Sequence, residues 1–388
     1  MKMKKYGIVL FMVLFLISSC TESTSHLLRE EYETESYMPE VDVPWEYETS
    51  NGYMCRSGSV YYINLDSWIN YYDVETGKSG VLCGKPECMH KDATCNAYTG
   101  VPLGQLQIYE GKIYWLANTT LFRADLDGNH REVVQMVDNM NGLNGRFFLQ
   151  RGYLYTCIIG QEVVDGQSVS TIRCNQYILG NPDQPAKTLF FEEFKQQANY
   201  ICRFVGNMMY FLVDTMDTQD TEMPTKEIYL YTYDISEDIW KETWHTTEPW
   251  EIYGMCLYED EITVLSIQTD YMTASHAQVK LTKFDLEGNF MQEAENIELD
   301  SGYSTARIVD QYLIAFDYVN DISKYMIYDW DGNYIARGEA GYVANVMGMD
   351  ENGLFLRSIN GVDDCLTLLP MEDLSQAENI IEFAPPML

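Results

Sequence analysis

The chain has 388 residues, enough for two or three average domains or for one large β architecture. It carries 59 Asp and Glu residues against 25 Lys and Arg, a net charge of −34 at pH 7, and 46% of its residues are apolar. That apolar content excludes a chain that is disordered throughout. The acidity disfavours contact with nucleic-acid phosphates and anionic headgroups, so we expect no nucleic-acid partner.

The N-terminal residues have the pattern of a bacterial export signal. Lysines at positions 2, 4 and 5 precede an apolar run, residues 6–17, which is too short to span a hydrocarbon core of about 30 Å. Residues 17–20 read ISSC and resemble the lipobox of bacterial lipoproteins. The resemblance implies a signal peptide at residues 1–19 and diacylglycerol on the sulfur of Cys20. The alternative is an ordinary signal peptide that ends beside an unmodified cysteine.

Residues 20–44 join that cysteine to the body of the chain. They contain six glutamates and Asp42 after Cys20 and show almost no apolar periodicity, which is typical of a solvated tether. A flexible coil of this length spans roughly 25–30 Å, enough to hold a domain clear of the headgroups. We therefore expect an extracytoplasmic protein that is attached to the lipid bilayer of the bacterial cell membrane through its anchor.

The body, residues 45–388, repeats a unit in which a turn residue precedes an apolar or aromatic strand. The units begin at residues 58, 111, 152, 207, 260, 310 and 352. A period of 40–55 residues with several strands is typical of propeller blades. The sequence therefore predicts an all-β fold, a single seven-bladed β-propeller. Six blades are the alternative, because the two short intervals between starts, 111 to 152 and 310 to 352, could mean that one unit has been counted as two. Residues 191–197 are the one segment with a helical pattern.

One unit resembles a blade of the propellers in low-density-lipoprotein-receptor-related proteins. It reads IYWL at residues 113–116 and LFRADLDGN at residues 121–129. With the signal, the tether and a cysteine-rich stretch, the chain is similar to a family of propeller lipoproteins from anaerobic Gram-positive bacteria. The resemblance implies the fold and a cell-surface location, and it implies no activity.

Three other features could carry ligand chemistry, but each has a structural explanation. Residues 125–129 and 329–333 have side chains with oxygen atoms at alternate positions, with a glycine among them, as calcium-binding loops do. Both segments lack the distal glutamate of such a loop, so we expect hairpin turns. His245 lies between two tryptophans, and we expect a loop residue beside packed indoles. Four tyrosines could stack on a sugar, but we expect them to pack in a half-buried sheet: Tyr61, Tyr62, Tyr71 and Tyr72.

Cys83, Cys88, His90 and Cys95 form a compact group between the first two units. If Cys20 is lipidated, nine of the ten cysteines remain, and an odd number cannot pair completely. Three thiolates and an imidazole suit a closed structural zinc site, although the gaps between the cysteines are wider than in usual zinc fingers. A disulfide between two of the cysteines is the alternative, worth about 2–4 kcal/mol. Five further cysteines lie in or near strand patterns and are expected to be small buried residues: Cys55, Cys157, Cys174, Cys202 and Cys256.

The function predicted from these features is a non-catalytic surface lipoprotein whose propeller binds a polymer, a peptide or a partner protein. The sequence has no zinc-protease helix motif, no nucleophile elbow and no phosphate-binding glycine loop before a helix. One alternative is a glycan-active enzyme with two carboxylates about 5–10 Å apart in the central funnel. Another is an envelope assembly factor.

Overall fold

The computed structural model describes residues 54–383 except for short segments inside that range. Those segments are residues 66, 101–104, 138–145, 165–166, 206, 217–225, 249, 259–260, 270–276, 299–304, 310–311, 320–321, 330–331, 361–362 and 377. The predicted signal peptide, the tether and the first residues of the body lie outside the described residues. All regular elements that the structure describes are β-strands, which confirms the all-β class. None of the described residues forms a helix that could cross a membrane.

Five sheets each contain four consecutive antiparallel strands. Sheet one comprises β1 (Met54–Ser57), β2 (Val60–Leu65), β3 (Trp68–Asp73) and β4 (Lys78–Val81). Sheet two comprises β5 (Leu106–Tyr109), β6 (Lys112–Ala117), β7 (Thr120–Asp125) and β8 (Glu132–Met136). Sheet three comprises β9 (Arg146–Gln150), β10 (Tyr153–Val164), β11 (Gln167–Ile178) and β12 (Lys187–Phe194). Sheet four comprises β13 (Gln197–Val205), β14 (Met208–Met216), β15 (Lys226–Asp234) and β16 (Ile239–Glu248). Sheet five comprises β17 (Glu251–Tyr258), β18 (Glu261–Thr269), β19 (Ala277–Phe284) and β20 (Phe290–Glu298).

The C-terminal part of the chain forms one seven-stranded sheet. It comprises β21 (Thr305–Val309), β22 (Tyr312–Val319), β23 (Ile322–Asp329), β24 (Tyr334–Asp350), β25 (Gly353–Asn360), β26 (Asp363–Pro370) and β27 (Glu378–Phe383). Strand β24 changes partner along its length. Its residues up to Gly341 pair with β23, and its residues from Tyr342 onward pair with β25.

The sheets have a propeller arrangement. The first strands of neighbouring sheets approach one another, as β1, β5 and β9 do in turn, and as β17 and β21 do. Burial falls from the inner to the outer strands: β14 is buried along nearly all its length, whereas β8 is mostly exposed. This gradient follows from sheets that pack face to face around a common centre.

The predicted turn residues lie between the first and second strands of the units. Gly58, Gly111 and Gly152 have φ of 59°, 69° and 75°, a conformation that glycine adopts readily. Each unit therefore begins one strand earlier than the sequence pattern suggested. The predicted hairpin at residues 125–129 is confirmed, because the Asp125 amide donates to the Asn129 carbonyl at 3.0 Å. The Asp329 amide donates in the same way to Asn333 at 3.0 Å.

Two local predictions are wrong. Residues 191–194 belong to strand β12 and not to a helix. The four-residue spacing of buried Phe190 and Phe194 imitates a helical stripe, but pairing with β11 fixes an extended backbone. His245 lies in strand β16 and not in a loop, and its ring stacks on the ring of Tyr229 with centroids 4.4 Å apart.

Tyrosines and cysteines fill the packing layers between sheets. Tyr61 and Tyr62 are almost fully buried, as expected for core residues, whereas Tyr71 and Tyr72 are half-buried. Cys256 was predicted to be buried but is only half-buried. The other strand cysteines predicted to be buried are buried: Cys55, Cys157, Cys174 and Cys202.

Candidate functional site

The candidate metal ligands lie in the cysteine loop, which we define as residues 82–100, between β4 and β5. The loop is held against sheet one by backbone hydrogen bonds: the Ile69 amide donates to the Ala97 carbonyl, and the Thr99 amide donates to the Ser67 carbonyl, both at 2.8 Å. Cys95 is fully buried in the apolar layer that joins sheets one and two. The loop is therefore an integral part of the junction between these sheets.

The structure brings the four predicted ligands together. The Sγ atoms of Cys83, Cys88 and Cys95 and a ring nitrogen of His90 all lie within 4.8 Å of one another. His90 Nδ1 lies 3.4 Å from Cys95 Sγ. Tight local turns produce this convergence, because the Cys88 amide donates to the Lys85 carbonyl at 3.1 Å and His90 has a φ of 53°.

The surroundings shift the pKa values of two of these cysteines in opposite directions. Burial raises the pKa of the Cys95 thiol to about 12. The pKa of Cys83 is lowered, because hydrogen bonds from the backbone amides of Lys85 and Asn96, with those of the neighbouring thiols, outweigh desolvation by burial. Amide donors directed at a sulfur stabilise its thiolate, which is the form that binds metals.

This donor set suits a tetrahedral metal ion with soft and borderline ligands. Zinc–sulfur bonds of about 2.3 Å and zinc–nitrogen bonds of about 2.0 Å place neighbouring ligand atoms about 3.5–3.8 Å apart. The separation of His90 and Cys95 already has this size, and the widest separations require a contraction of about 1 Å. Cys83, Cys88 and Cys95 are all unbonded thiols here, whereas a disulfide requires a sulfur–sulfur distance of about 2.05 Å.

The cysteine loop is also bound to the outer hairpin of sheet two. The Gly84 amide and the Asn96 side chain both donate to the Gly128 carbonyl, at 3.1 and 2.8 Å. Gly128 has a φ of 79°, and a Cβ atom there would lie 2.7 Å from the Leu82 carbonyl carbon. Arg131 donates to the Cys95 carbonyl at 3.0 Å. A metal or a covalent bond in the loop would therefore fasten sheet one to sheet two.

A second candidate site is a cavity of about 270 Å³ lined by first strands. We call it the axial cavity, because the first strands of propeller blades surround the central channel. First strands supply its lining: Arg146 from β9, Tyr200, Ile201 and Arg203 from β13, Ile252 and Tyr253 from β17, and Arg307 from β21. Arg307 lies over the ring of Tyr253 at 5.3 Å from its centroid. Three arginines line this cavity, and no acidic residue is among its described lining residues.

An adjoining recess shares four lining residues with the axial cavity and differs from it in charge. Lys226 bonds to Glu251 at 2.9 Å and to Asp214 at 3.5 Å. Burial raises the pKa of Asp214, and the Lys226 charge opposes this shift only in part. The recess therefore contains an ion-paired cluster beside the arginine-lined cavity.

Sequence reasoning missed both axial features. Their residues are far apart in the chain and meet only when the first strands gather around one axis. One feature of the sequence could have indicated the axial cavity. Arg203 and Arg307 each stand a few positions before a predicted turn residue, in a chain where basic residues are scarce.

The similarity of the chain to known proteins concerns its fold. No protein-family model matches it, and no curated protein matches it. A solved structure from a study of two prolyl endopeptidases aligns with a TM-score of 0.53 and 13% identity, over 84% of this chain and 48% of that chain. This chain thus spans about half the length of that protein.

Two further solved structures are similar over much of the chain. The β-propeller domain of the Trilobed protease from Pyrococcus furiosus, described as having an open velcro topology, aligns with a TM-score of 0.45 and 12% identity. That alignment covers 86% of this chain and 99% of the other. A nidogen/laminin complex aligns with a TM-score of 0.35 and 12% identity, over 61% of this chain and 75% of the matched chain.

Proposed function

We propose that this chain is a lipoprotein anchored to the bacterial cell membrane, whose propeller binds a ligand or partner protein outside the cytoplasm without catalysis. The observation that carries the proposal is the ISSC sequence at residues 17–20, placed directly after a basic start and a short apolar run. Two or three acyl chains on Cys20 would give stable membrane attachment, which a single chain does not. The acidic tether would hold the propeller clear of the headgroups.

The centre of the propeller supports binding over catalysis. The alternative of a glycan-active enzyme requires two carboxylates that face each other across a gap in which the sugar bond lies. Asp214 and Glu251 are the carboxylates among the described residues of the recess that adjoins the axial cavity, and both contact the Lys226 ammonium group. An ammonium group between them makes an ion pair where a substrate would have to enter, so the enzyme alternative is not favoured. The likeness to a prolyl endopeptidase at 13% identity carries no activity to this chain.

The anchor is tested by Cys20→Ala in a Gram-positive host. The variant should lose membrane retention and lipid label, because no sulfur remains to accept diacylglycerol. Ser25→Ala, in the same acidic segment, is the matched control and should fractionate with the membrane as the wild type does. Equal membrane retention of the alanine variant at position 20 and the wild type would contradict the proposal.

We also propose that Cys83, Cys88, His90 and Cys95 bind one structural zinc ion. The convergence of three sulfurs and one imidazole within 4.8 Å supports this over a disulfide. Four protein ligands leave no open position for a substrate, so the ion would fasten the junction of sheets one and two.

Metal analysis and thiol counting separate zinc from the disulfide. The purified chain should contain about one zinc ion, which Cys88→Ser and His90→Ala should each remove. Cys256→Ser, which changes a half-buried strand cysteine, should keep the metal. A metal-free wild type with two fewer free thiols than expected would establish the disulfide and contradict the zinc site.

We further propose that the propeller has seven blades, the seven-stranded sheet being two blades that share β24. The change of partner between Gly341 and Tyr342 supports this assignment. Strands β21–β23 with the first part of β24 would form one four-stranded blade, and the second part of β24 with β25–β27 would form the next.

A further inference from the structure

Basic side chains are scarce in this chain, yet three arginines gather at the propeller axis. The whole chain has 25 Lys and Arg against 59 Asp and Glu. Arg146, Arg203 and Arg307 nevertheless line one cavity, brought together from the first strands β9, β13 and β21. The described lining of the axial cavity is therefore basic, although the chain as a whole is acidic.

The arginine positions are fixed by the surrounding backbone. Arg203 is only 4% exposed, and its Nη1 donates to the Cys202 carbonyl at 2.9 Å. Arg307 donates from Nη1 to the Ala306 carbonyl at 2.8 Å and stacks over Tyr253. Guanidinium groups held in this way are ordered before a ligand arrives, which lowers the entropic cost of binding.

The charge distribution around the cavity favours an anion. An anion in the cavity would be attracted to the three arginines that line it, and this attraction is stronger in a partly buried site than in bulk water. Asp214 and Glu251 lie in the adjoining recess, and both are bonded to Lys226. Tyr253 stands between the two regions, with its hydroxyl 3.3 Å from a Glu251 carboxylate oxygen.

We propose that the axial cavity binds a compact anion, a carboxylate or a phosphate group, either free or at the end of a larger ligand. Planar guanidinium groups bind both anions through paired hydrogen bonds. A volume of about 270 Å³ lies below the roughly 300–1,000 Å³ of drug-sized sites, so it suits a small charged group and not a polymer segment. The proposal depends on the proposed function in one respect only, which is that the propeller binds a ligand.

Calorimetric titration of the purified full chain at low salt tests this site, with inorganic phosphate and citrate as the probes. One saturable site per chain is expected for at least one probe, weakened by added salt because the attraction is electrostatic. Arg146→Gln and Arg307→Gln should each weaken binding about tenfold or more. Arg337→Gln, an exposed arginine on β24, is the matched control and should bind as the wild type does.

A conservative variant separates ligand binding from a purely structural role. Arg307→Lys keeps the charge but loses the planar fork, so its affinity should fall between those of the wild type and Arg307→Gln. Tighter phosphate binding would identify a phosphate site, and tighter citrate binding a carboxylate site. No saturable binding of either probe would overturn the proposal, as would folded glutamine variants that bind both probes as the wild type does. The membrane fractionation of Cys20→Ala is independent of this result, so the two proposals can fail separately.

Discussion

Tyr61, on the second strand of sheet one, donates a hydrogen bond to the carboxylate of Asp350, although 289 positions separate them in the chain. Arg56 bonds to the same carboxylate at 2.9 Å, and the Asn352 side chain donates to the Tyr61 hydroxyl at 2.8 Å. The Tyr61 ring also packs on Phe355 with centroids 4.5 Å apart. In the described part of the chain, side chains and not a shared strand thus join the first sheet to the last.

Removal of the Tyr61 hydroxyl should weaken this joint. We expect Tyr61→Phe to lower the free energy of unfolding by about 1–2 kcal/mol, because the largely buried Asp350 carboxylate loses a donor. Tyr334→Phe is the control, since Tyr334 is 53% exposed, and it should change stability by less than about 0.5 kcal/mol. Urea unfolding measures both variants, and equal effects would mean that the joint does not depend on this hydrogen bond.

The boundary inside β24 can be tested by insertion. A Gly-Ser-Gly insertion between Gly341 and Tyr342 should leave a folded protein, because it lengthens a connection between two blades. The same insertion between Ile314 and Ala315, both fully buried on β22, should prevent folding, because it shifts the register of an inner strand. Circular dichroism and thermal melting compare the two. Unfolding by the first insertion would indicate that β24 is one indivisible strand.

Gly111 and Gly128, both in turns of sheet two, distinguish the cost of a positive φ from the cost of crowding against the cysteine loop. Gly111→Ala should cost about 1–2 kcal/mol, because its φ is 69° and the space around its Cβ position is open. Gly128→Ala should cost at least about 1 kcal/mol more, because the new Cβ would meet the backbone of Leu82. Denaturant unfolding gives the difference. Equal costs would show that the cysteine loop is not held tightly against the hairpin.

The aspartate at the first outer hairpin should contribute a pH-dependent part of the stability. The Thr76 hydroxyl donates to the Asp73 carboxylate at 2.6 Å, and this bond, with further donors, lowers the pKa of Asp73. A lowered folded-state pKa stabilises the protein above the unfolded value near 3.8, and the contribution disappears as the pH falls through the folded-state value.

Asp73→Asn should therefore be less stable than the wild type at neutral pH, and the difference should shrink as the pH falls below about 4. Glu75→Gln changes an exposed carboxylate in the same turn and serves as the control. Thermal melting from pH 2 to pH 7 measures the difference for both variants. A difference for Asp73→Asn that does not depend on pH would refute this role of the carboxylate.

Features governed by local chemistry could be predicted from the sequence. Gly58 and Gly152 marked turns because positive φ is a local requirement. The group from Cys83 to Cys95 could be recognised because its members are close in the chain and meet through two turns. The error at residues 191–197 arose because Phe190 and Phe194 have helical spacing, while the pairing with β11 that decides the structure is not local.

Features that depend on the gathering of sheets around one axis could not be predicted. Arg146, Arg203 and Arg307 belong to three different units, and no periodicity in the sequence shows that their side chains share a cavity. The bond between Tyr61 and Asp350 likewise exists only because the first and last described sheets meet. Such contacts follow from the number of units and their geometry, which short motifs do not encode.

Mass spectrometry of the mature N-terminus tests the central claim most directly. The full chain is expressed in a Gram-positive host, extracted from membranes and digested, and the N-terminal peptide is analysed intact. The account predicts a peptide that begins at Cys20 and carries the mass of diacylglycerol on its sulfur. An N-terminal peptide that contains an unmodified Cys20, or a chain that begins beyond it, would contradict a lipid-anchored propeller.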